Sequence, residues 1–238
     1  MNSPTVFERC EIKYLVTITQ KSAILSAMEP YMAPDSFGHS TVRNIYYDTD
    51  SYRLIRRSLE KPIYKEKLRL RSYRTATPDD QVFIELKKKF GSVVYKRRTD
   101  IREKDAAGYL AGKIEAPVKS QITDEIDYFL KYYETLSPKV FLSYERDAFF
   151  GKDGSGFRVT FDENILWRTT DLSLKAGVYG RSLLRPGQTL MEIKTPGGIP
   201  LWMVEVLTRE KLHNTSFSKY GNAYMIMYED RKGEVIYA

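Results

Sequence analysis

Residues 65–73 read KEKLRLRSY and residues 81–89 read QVFIELKKK. Successive side chains of a strand point to opposite faces, so residues two apart share one. Lys67, Arg69 and Arg71 then lie together, with Leu68 and Leu70 pointing the other way. In the second stretch Val82, Ile84 and Leu86 form an apolar face opposite Glu85, Lys87 and Lys89. TATPDD at residues 75–80 separates the two, and Phe90-Gly91 separates the second from a third strand over Ser92–Ile101. Both connections are hairpin punctuation, which predicts an antiparallel sheet.

The same alternation recurs along the chain. Ile12 and Tyr14 oppose Glu11 and Lys13; Met191 and Ile193 oppose Glu192 and Lys194. Phe157, Val159 and Phe161 oppose Arg158, Thr160 and Asp162. One such strand says only that one face meets water and the other a core. The repeated set is richer in Arg and Lys than a solvated face requires, and like charges opposite one another on neighbouring strands are destabilising. A sheet with many cations on one face wants a polyanion, and closing it with that face inward makes a cationic tunnel.

Strands are expected at Phe7–Thr17, Thr41–Asp48, Tyr64–Tyr73, Gln81–Lys89, Ser92–Ile101, Lys139–Phe149, Phe157–Asn164 and Thr189–Thr195. Helices are expected at Thr19–Tyr31, with Thr19 as N-cap, and at Asp50–Leu59, Glu103–Gly112, Gln121–Tyr133, Leu201–Leu212 and Ser218–Glu229. Hairpins with helices inserted between them predict an α+β fold, an antiparallel sheet able to close as a barrel. Without a linker or internal repeat, residues 1–238 read as a single domain.

The 238 residues carry 38 Lys plus Arg against 31 Asp plus Glu, a net charge of +7. A hydrophobic share of 42% is that of a globular chain, which excludes a disordered one. One cysteine and two histidines exclude a disulfide framework and a Cys/His zinc cluster. Cys10 reads as a small buried residue, and His39 and His213 as surface or loop residues. No signal peptide or membrane-length apolar run is visible, so a cytoplasmic location is expected. Walker A, GxGxxG, HExxH and Ser-His-Asp patterns are absent. The tyrosines Tyr46, Tyr47 and Tyr73 read as apolar-face or turn residues without a stacking signature, so no nucleic acid is expected as partner.

In order, EIKYLV (11–16), RNIYYDTDSYRL (43–54), KLRLRSY (67–73), FIELKKK (83–89), VYKRR (94–98), YERDAFF (144–150), FRVTFD (157–162), MEIK (191–194) and FSKYG (217–221) resemble the catalytic domain of the VTC (vacuolar transporter chaperone) polyphosphate polymerases, within the triphosphate tunnel metalloenzymes. The resemblance implies an antiparallel barrel with helices packed outside and at the tunnel mouths. It implies phosphate ligands at Lys13, Arg69, Arg71, Lys87, Lys96, Arg98, Arg146, Arg158, Lys194 and Lys219. Among these, Lys219, Arg146 and Arg158 would be catalytic. Glu192, with Glu11, would hold a metal, Mn²⁺ or Mg²⁺. The implied partners are ATP or another nucleoside triphosphate and polyphosphate, the γ-phosphoryl group passing to a growing chain. Water as acceptor would make a triphosphatase of the same tunnel, and binding without turnover a polyphosphate or nucleotide module. Broader tunnel enzymes open with ExExK; here Arg9 stands at the first glutamate position, which resembles the polymerase branch. Neither the SPX domain nor the membrane part of the eukaryotic polymerases is matched by these residues. Beside these assignments, Glu85 reads as a partner that orients Lys87 or as a metal ligand, Asp162 as a positioning group, and Lys89 and Arg97 as surface charges.

Overall fold

The structure, a computed structural model, describes residues 10–36, 38–91 and 93–236, without the side chains of 233–236. The chain divides into two compact units, each built from separated segments. The first comprises Met1–Thr41, Tyr144–Ile165 and Leu184–Phe217; the second comprises Val42–Ser143, Leu166–Leu183 and Ser218–Ala238.

In the first unit, β1 (Cys10–Thr17) pairs with β10 (Gln188–Thr195), and β10 with β8 (Arg158–Arg168). A further strand, β7 (Ser137–Gly151), carries β2 (Met32–Pro34) on its last residues. The apolar residues expected on these strands do share a face. Tyr14, Val16, Val159, Phe161, Met191 and Ile193 form one core with Ile24 and Met28 of α1 (Ile18–Met28) and Met203, Val206 and Leu207 of α5 (Leu201–Arg209). The N-cap of α1 is Thr17 rather than Thr19. Its hydroxyl accepts from the Gln20 backbone while the Gln20 side chain returns to the Thr17 backbone, a reciprocal box that Thr19 cannot form. Cys10 is exposed, not buried: it stands at the very start of β1, ahead of the core positions.

In the second unit the order is β3 (Ser40–Asp48), β4 (Tyr64–Ser72), β5 (Gln81–Phe90), β6 (Val93–Arg102), with β3 beside the first half of β7. Gly91, at φ +56, turns β5 into β6 and donates its N–H to the Ile63 carbonyl. Leu68, Leu70, Val82, Ile84 and Leu86 face a core completed by α3 (Glu103–Leu110) and α4 (Gln121–Tyr133). Helix α2 (Arg53–Leu59) follows β3, a two-residue β9 (Arg181–Ser182) pairs with the end of β8, and α6 (Lys219–Ile236) closes the chain. The short β2 and β9 were not expected; strands of two or three residues leave no periodic signal.

Each strand pairing whose register is described is antiparallel, so the α+β expectation holds. Helices α1 and α5 cover the apolar face in the first unit, and α3 and α4 in the second. The opposite face carries the charges.

Candidate functional site: two charged sheet faces

On the second unit the register sets the charges in ranks. Lys67 stands opposite Lys87 and Lys87 opposite Lys96, three lysines abreast on β4, β5 and β6. One step along, Arg69 faces Glu85 and Glu85 faces Arg98; then Arg71 faces Phe83. Lys65 opposite Lys89 extends the same face, so Lys89 joins the cluster it was read as lying outside. Arg97 has the other parity and pairs at 2.9 Å with Glu125 of α4 on the helix side.

Glu85 is the hinge of this arrangement. Only 2% exposed, it takes Arg69 at 2.6 Å, Lys96 at 2.8 Å, Arg71 at 3.6 Å and Arg98 at 3.7 Å. Burial alone would raise its carboxyl, but Arg69, Arg71 and Lys96 outweigh it and hold the group well below the usual carboxylate range. Burial and the neighbouring Arg69 and Arg71 press the Lys96 ammonium below its ordinary value, while Glu85 works in the opposite direction. Four cations around one carboxylate are thus fixed in place and still in excess. Glu85 reads in the sequence as orienting Lys87 or as a metal ligand; in the structure it holds Arg69, Lys96, Arg71 and Arg98, whose long guanidinium and ammonium groups reach the carboxylate across the strands.

Uncharged residues of the same parity complete the face, and alternation of charges alone could not find them. Asn44 accepts from Arg71 Nε at 2.8 Å and donates to the Leu142 carbonyl at 3.0 Å. The Arg98 guanidinium lies 3.6 Å from the Phe83 ring centroid. Tyr46 was read as an apolar-face residue, yet its hydroxyl accepts from Arg69 at 3.1 Å and its ring stacks on Tyr220 at 4.6 Å. It shares parity with Asn44 and so stands among the charges, while Tyr47 is in the core. Asp48 accepts from the backbone of Thr49, Leu54 and Ile55 and from the Tyr220 hydroxyl at 2.9 Å. One carboxylate thereby ties the start of α2 to α6. Ser218 accepts from Lys67 at 3.0 Å and from the Gly221 N–H at 3.1 Å, capping α6, whose first residue is the half-buried Lys219.

The first unit carries charges of both signs. Glu11 faces Lys194, Lys13 faces Glu192, and Lys194 faces Arg158. Glu192 receives Lys194 at 2.9 Å and Lys13 at 3.8 Å; Lys13 also donates to the Phe217 carbonyl at 2.9 Å. Arg146 grips Asp162 through two bonds of 2.6 and 2.7 Å, the carboxylate fully buried, and Arg158 pairs with Asp35 at 2.8 Å. Asp162 therefore stands as a group that positions Arg146. Glu11 and Glu192 are diagonal neighbours on β1 and β10, a spacing that long side chains bridge. A hard cation needs only one or two carboxylates when phosphate oxygens supply the rest, so these two residues fit Mn²⁺ or Mg²⁺. No cluster of three or more His, Cys, Asp or Glu able to hold a metal without phosphate occurs among the described residues. His39 is exposed as expected and meets Asp147 at 2.8 Å.

The structure thus brings Arg69, Arg71, Lys87, Lys96 and Arg98 together in the second unit, with Lys219 at the head of its α6. It brings Lys13, Glu11, Glu192, Lys194 and Arg158 together in the first, with Arg146 beside Asp162. The VTC domain family matches residues 8–228. The chain belongs to the VTC domain family. No curated protein matches it. Among solved structures, a candidate adenylate cyclase from Bacillus halodurans is 14% identical, with a TM-score of 0.52 over 87% of this VTC chain and 92% of that one. It shares the fold. A candidate adenylate cyclase from Vibrio parahaemolyticus, 14% identical, has a TM-score of 0.49 over 92% of this chain and 98% of that one. A candidate adenylyl cyclase from Hippeastrum, described as having a dominant triphosphatase activity, is 14% identical, with a TM-score of 0.48 over 88% and 92%. No helix of the described residues is long and apolar enough to cross a membrane.

Proposed function

We propose that this VTC domain is a metal-dependent phosphotransferase of the triphosphate-tunnel type, moving the γ-phosphoryl group of ATP to the end of a polyphosphate chain. The observation that carries the reading is the Glu85 cluster. Lys96 belongs both to a rank of three lysines and to the four cations around one carboxylate, and the six cations so gathered suit a chain of phosphates. Phosphoryl transfer asks chiefly for positioning and charge neutralisation, which such a face supplies. Arg69, Arg71 and Arg98 offer planar forks to phosphate oxygens, and Lys87, Lys96 and Lys219 offer point charges. In the first unit Lys13, Arg158, Lys194 and Arg146 take the same role, Asp162 fixing the Arg146 guanidinium.

In the proposed step a terminal oxygen of the acceptor chain bonds to the γ-phosphorus as the β–γ bridge breaks, and ADP leaves with the bridging oxygen. Positive side chains lower the repulsion between the two anions. Glu192 and Glu11 would hold Mn²⁺ or Mg²⁺, which supplies further neutralisation of the phosphates when bound. Lys13 and Lys194, both on Glu192 in the structure, would then be the cations beside the metal carboxylate that are available to phosphate oxygens.

The test is incubation of purified protein with ATP and Mn²⁺, with products resolved on a gel and orthophosphate measured. Long-chain polyphosphate is expected. Orthophosphate alone would replace the polymerase by a triphosphatase, and binding without turnover would leave a binding module. Lys219→Ala and Arg146→Ala are each expected to abolish turnover with the fold intact by circular dichroism. Wild-type rates in both would overturn the site. Glu192→Gln should raise the metal concentration for half-maximal rate about tenfold or more, and an unchanged metal titration would remove the metal assignment alone.

A further inference from the structure

The second unit holds another concentration of positive charge, outside the Glu85 face. A cleft of about 370 Å³ opens beside the β8–β9 pair and the later turns of α6, lined among others by Trp167, Arg168, Thr170, Arg181, Asp230 and Arg231. The cleft walls bear three guanidinium groups and one carboxylate. Arg181 pairs with Asp230 and lies 5.2 Å from the Trp167 ring centroid. Arg231 lies 5.5 Å from the Tyr52 ring centroid. Arg168 gives its donors to the carbonyls of Thr170, Asp171, Gly177 and Tyr179, with Asp171 Oδ2 at 3.7 Å. It thereby builds the wall of the cleft.

Two residues nearby carry buried donors that have no acceptor. The Trp167 indole N–H is enclosed and unbonded, in a residue only 4% exposed. Arg43, 8% exposed, has both Nε and Nη1 buried without a hydrogen-bond partner. The charge felt by Arg43 is that of Arg168, another cation. Buried donors are ordinarily satisfied, and a buried charge is ordinarily paired. Arg168, Arg181 and Arg231 line the cleft with the single carboxylate of Asp230, and Arg43, outside that lining, adds a fourth guanidinium within electrostatic reach of Arg168. What the region lacks is an acceptor bearing negative charge.

The backbone around the cleft is built to close tolerances. Gly180 runs at φ +140, and a Cβ on it would stand 2.4 Å from the Trp167 carbonyl oxygen, so this position requires glycine for the loop to reach β8. The helix that supplies Asp230 and Arg231 begins at the Ser218 that Lys67 touches. One continuous element therefore joins the cleft to the Glu85 face.

We propose that this cleft is a second anion site, taking a phosphate group between Arg181 and Arg231 beside Trp167. The phosphate can arrive as free orthophosphate or as one group of a polyphosphate chain, and the two sources share one chemistry. The site lies apart from the residues assigned to phosphoryl transfer, and its occupancy is expected whether or not the protein proves to be a polymerase.

The chain has two tryptophans, Trp167 and Trp202, so Trp202→Phe leaves Trp167 as the sole indole reporter. In that background, orthophosphate and tripolyphosphate are titrated separately at constant ionic strength set with chloride, following Trp167 emission. A saturable change with at least one of them is expected. It should weaken tenfold or more in Arg181→Ala/Arg231→Ala and persist in Lys96→Ala, which disables the Glu85 face. Saturation by orthophosphate identifies a site for the free ion, and saturation by tripolyphosphate alone identifies one for the chain. The proposal is overturned if neither anion gives saturation, if chloride reproduces the change, or if the double variant binds as the parent does. It is equally overturned if Lys96→Ala abolishes the signal, because the response then belongs to the other face.

Discussion

The two charged faces come from one sequence pattern and reach opposite electrostatic ends. On the second unit Glu85 is surrounded by Arg69, Arg71, Lys96 and Arg98, with the Lys67, Lys87 and Lys96 rank beside it. On the first, Glu192 is shared by Lys13 and Lys194, Asp162 is matched with Arg146, and Asp35 with Arg158. On the first face each of these carboxylates has its own cation or pair of cations; on the second, four cations gather on one carboxylate. The cation-rich face suits a bound polyanion, and the mixed one offers carboxylates that a cation can claim. The difference lies in how many acids sit between the cations, and strand parity by itself does not fix that number.

The largest effect expected is at Glu85. Glu85→Gln leaves four cations around a buried neutral amide, and breaking a buried ion pair in this way costs about 3–5 kcal/mol. Asp35→Asn, whose partner Arg158 is 42% exposed, should cost less than about 1 kcal/mol. Urea denaturation of the two variants compares them, and equal losses would break the contrast between the faces. Tripolyphosphate should restore much of the Glu85→Gln loss. The pH dependence has a definite sign. The folded Glu85 carboxyl titrates below its unfolded value, so its stabilisation is complete above the ordinary glutamate range and is lost as pH falls through and below it. Glu85→Gln should therefore show a flatter acid limb than the parent.

The next effect is on phosphate affinity. Arg69→Ala removes a charged donor worth about 1.5–3 kcal/mol, roughly a tenfold to hundredfold loss in tripolyphosphate binding by calorimetry. Arg97→Ala, one residue beyond Lys96 but of opposite parity and bound to Glu125, should change it less than about twofold. Comparable losses would mean that the parity assignment of β6 does not govern binding. Arg69→Lys should recover only part of the affinity, because an ammonium cannot reproduce a planar fork.

Much of this was legible before any coordinates. Leu68, Leu70, Val82, Ile84 and Leu86 fell on one face because a period of two leaves a buried strand no other choice. The charged candidates separated onto the opposite face for the same reason. What alternation could not supply was register, since sliding one strand by two residues keeps every face and changes every partner. Hence alternation leaves Glu85 open between orienting Lys87 and a metal role, while its neighbours across the strands are Arg69 and Arg98. Phe83 shares its parity with Glu85 in the sequence itself, whereas Tyr46 and Asn44 are joined to Arg69 and Arg71 only by the register of β3 on β4. Cys10 was misplaced because burial at a strand end depends on what lies beyond it. The Thr17 cap, by contrast, was recoverable, since Gln20 stands three residues on, as a capping box requires.

The smallest effect expected separates structure from function within one kind of interaction. Thr17 caps α1 in the first unit and Ser218 caps α6 in the second, each hydroxyl accepting a backbone N–H from the third helical residue. Replacing a capping Ser or Thr by Ala costs about 1 kcal/mol in either helix. Ser218 differs in also receiving Lys67 Nζ at 3.0 Å. Ser218→Ala removes an acceptor from the rank in which Lys67 already faces Lys87, so the like-charge strain there should grow. The two variants should then match in thermal stability yet diverge in tripolyphosphate binding. Thr17→Ala should leave the affinity unchanged, whereas Ser218→Ala, which takes one acceptor away from the Lys67 ammonium, should tighten it severalfold. If Ser218→Ala weakens binding instead, the hydroxyl serves to aim Lys67 at phosphate rather than to hold its charge in the absence of one.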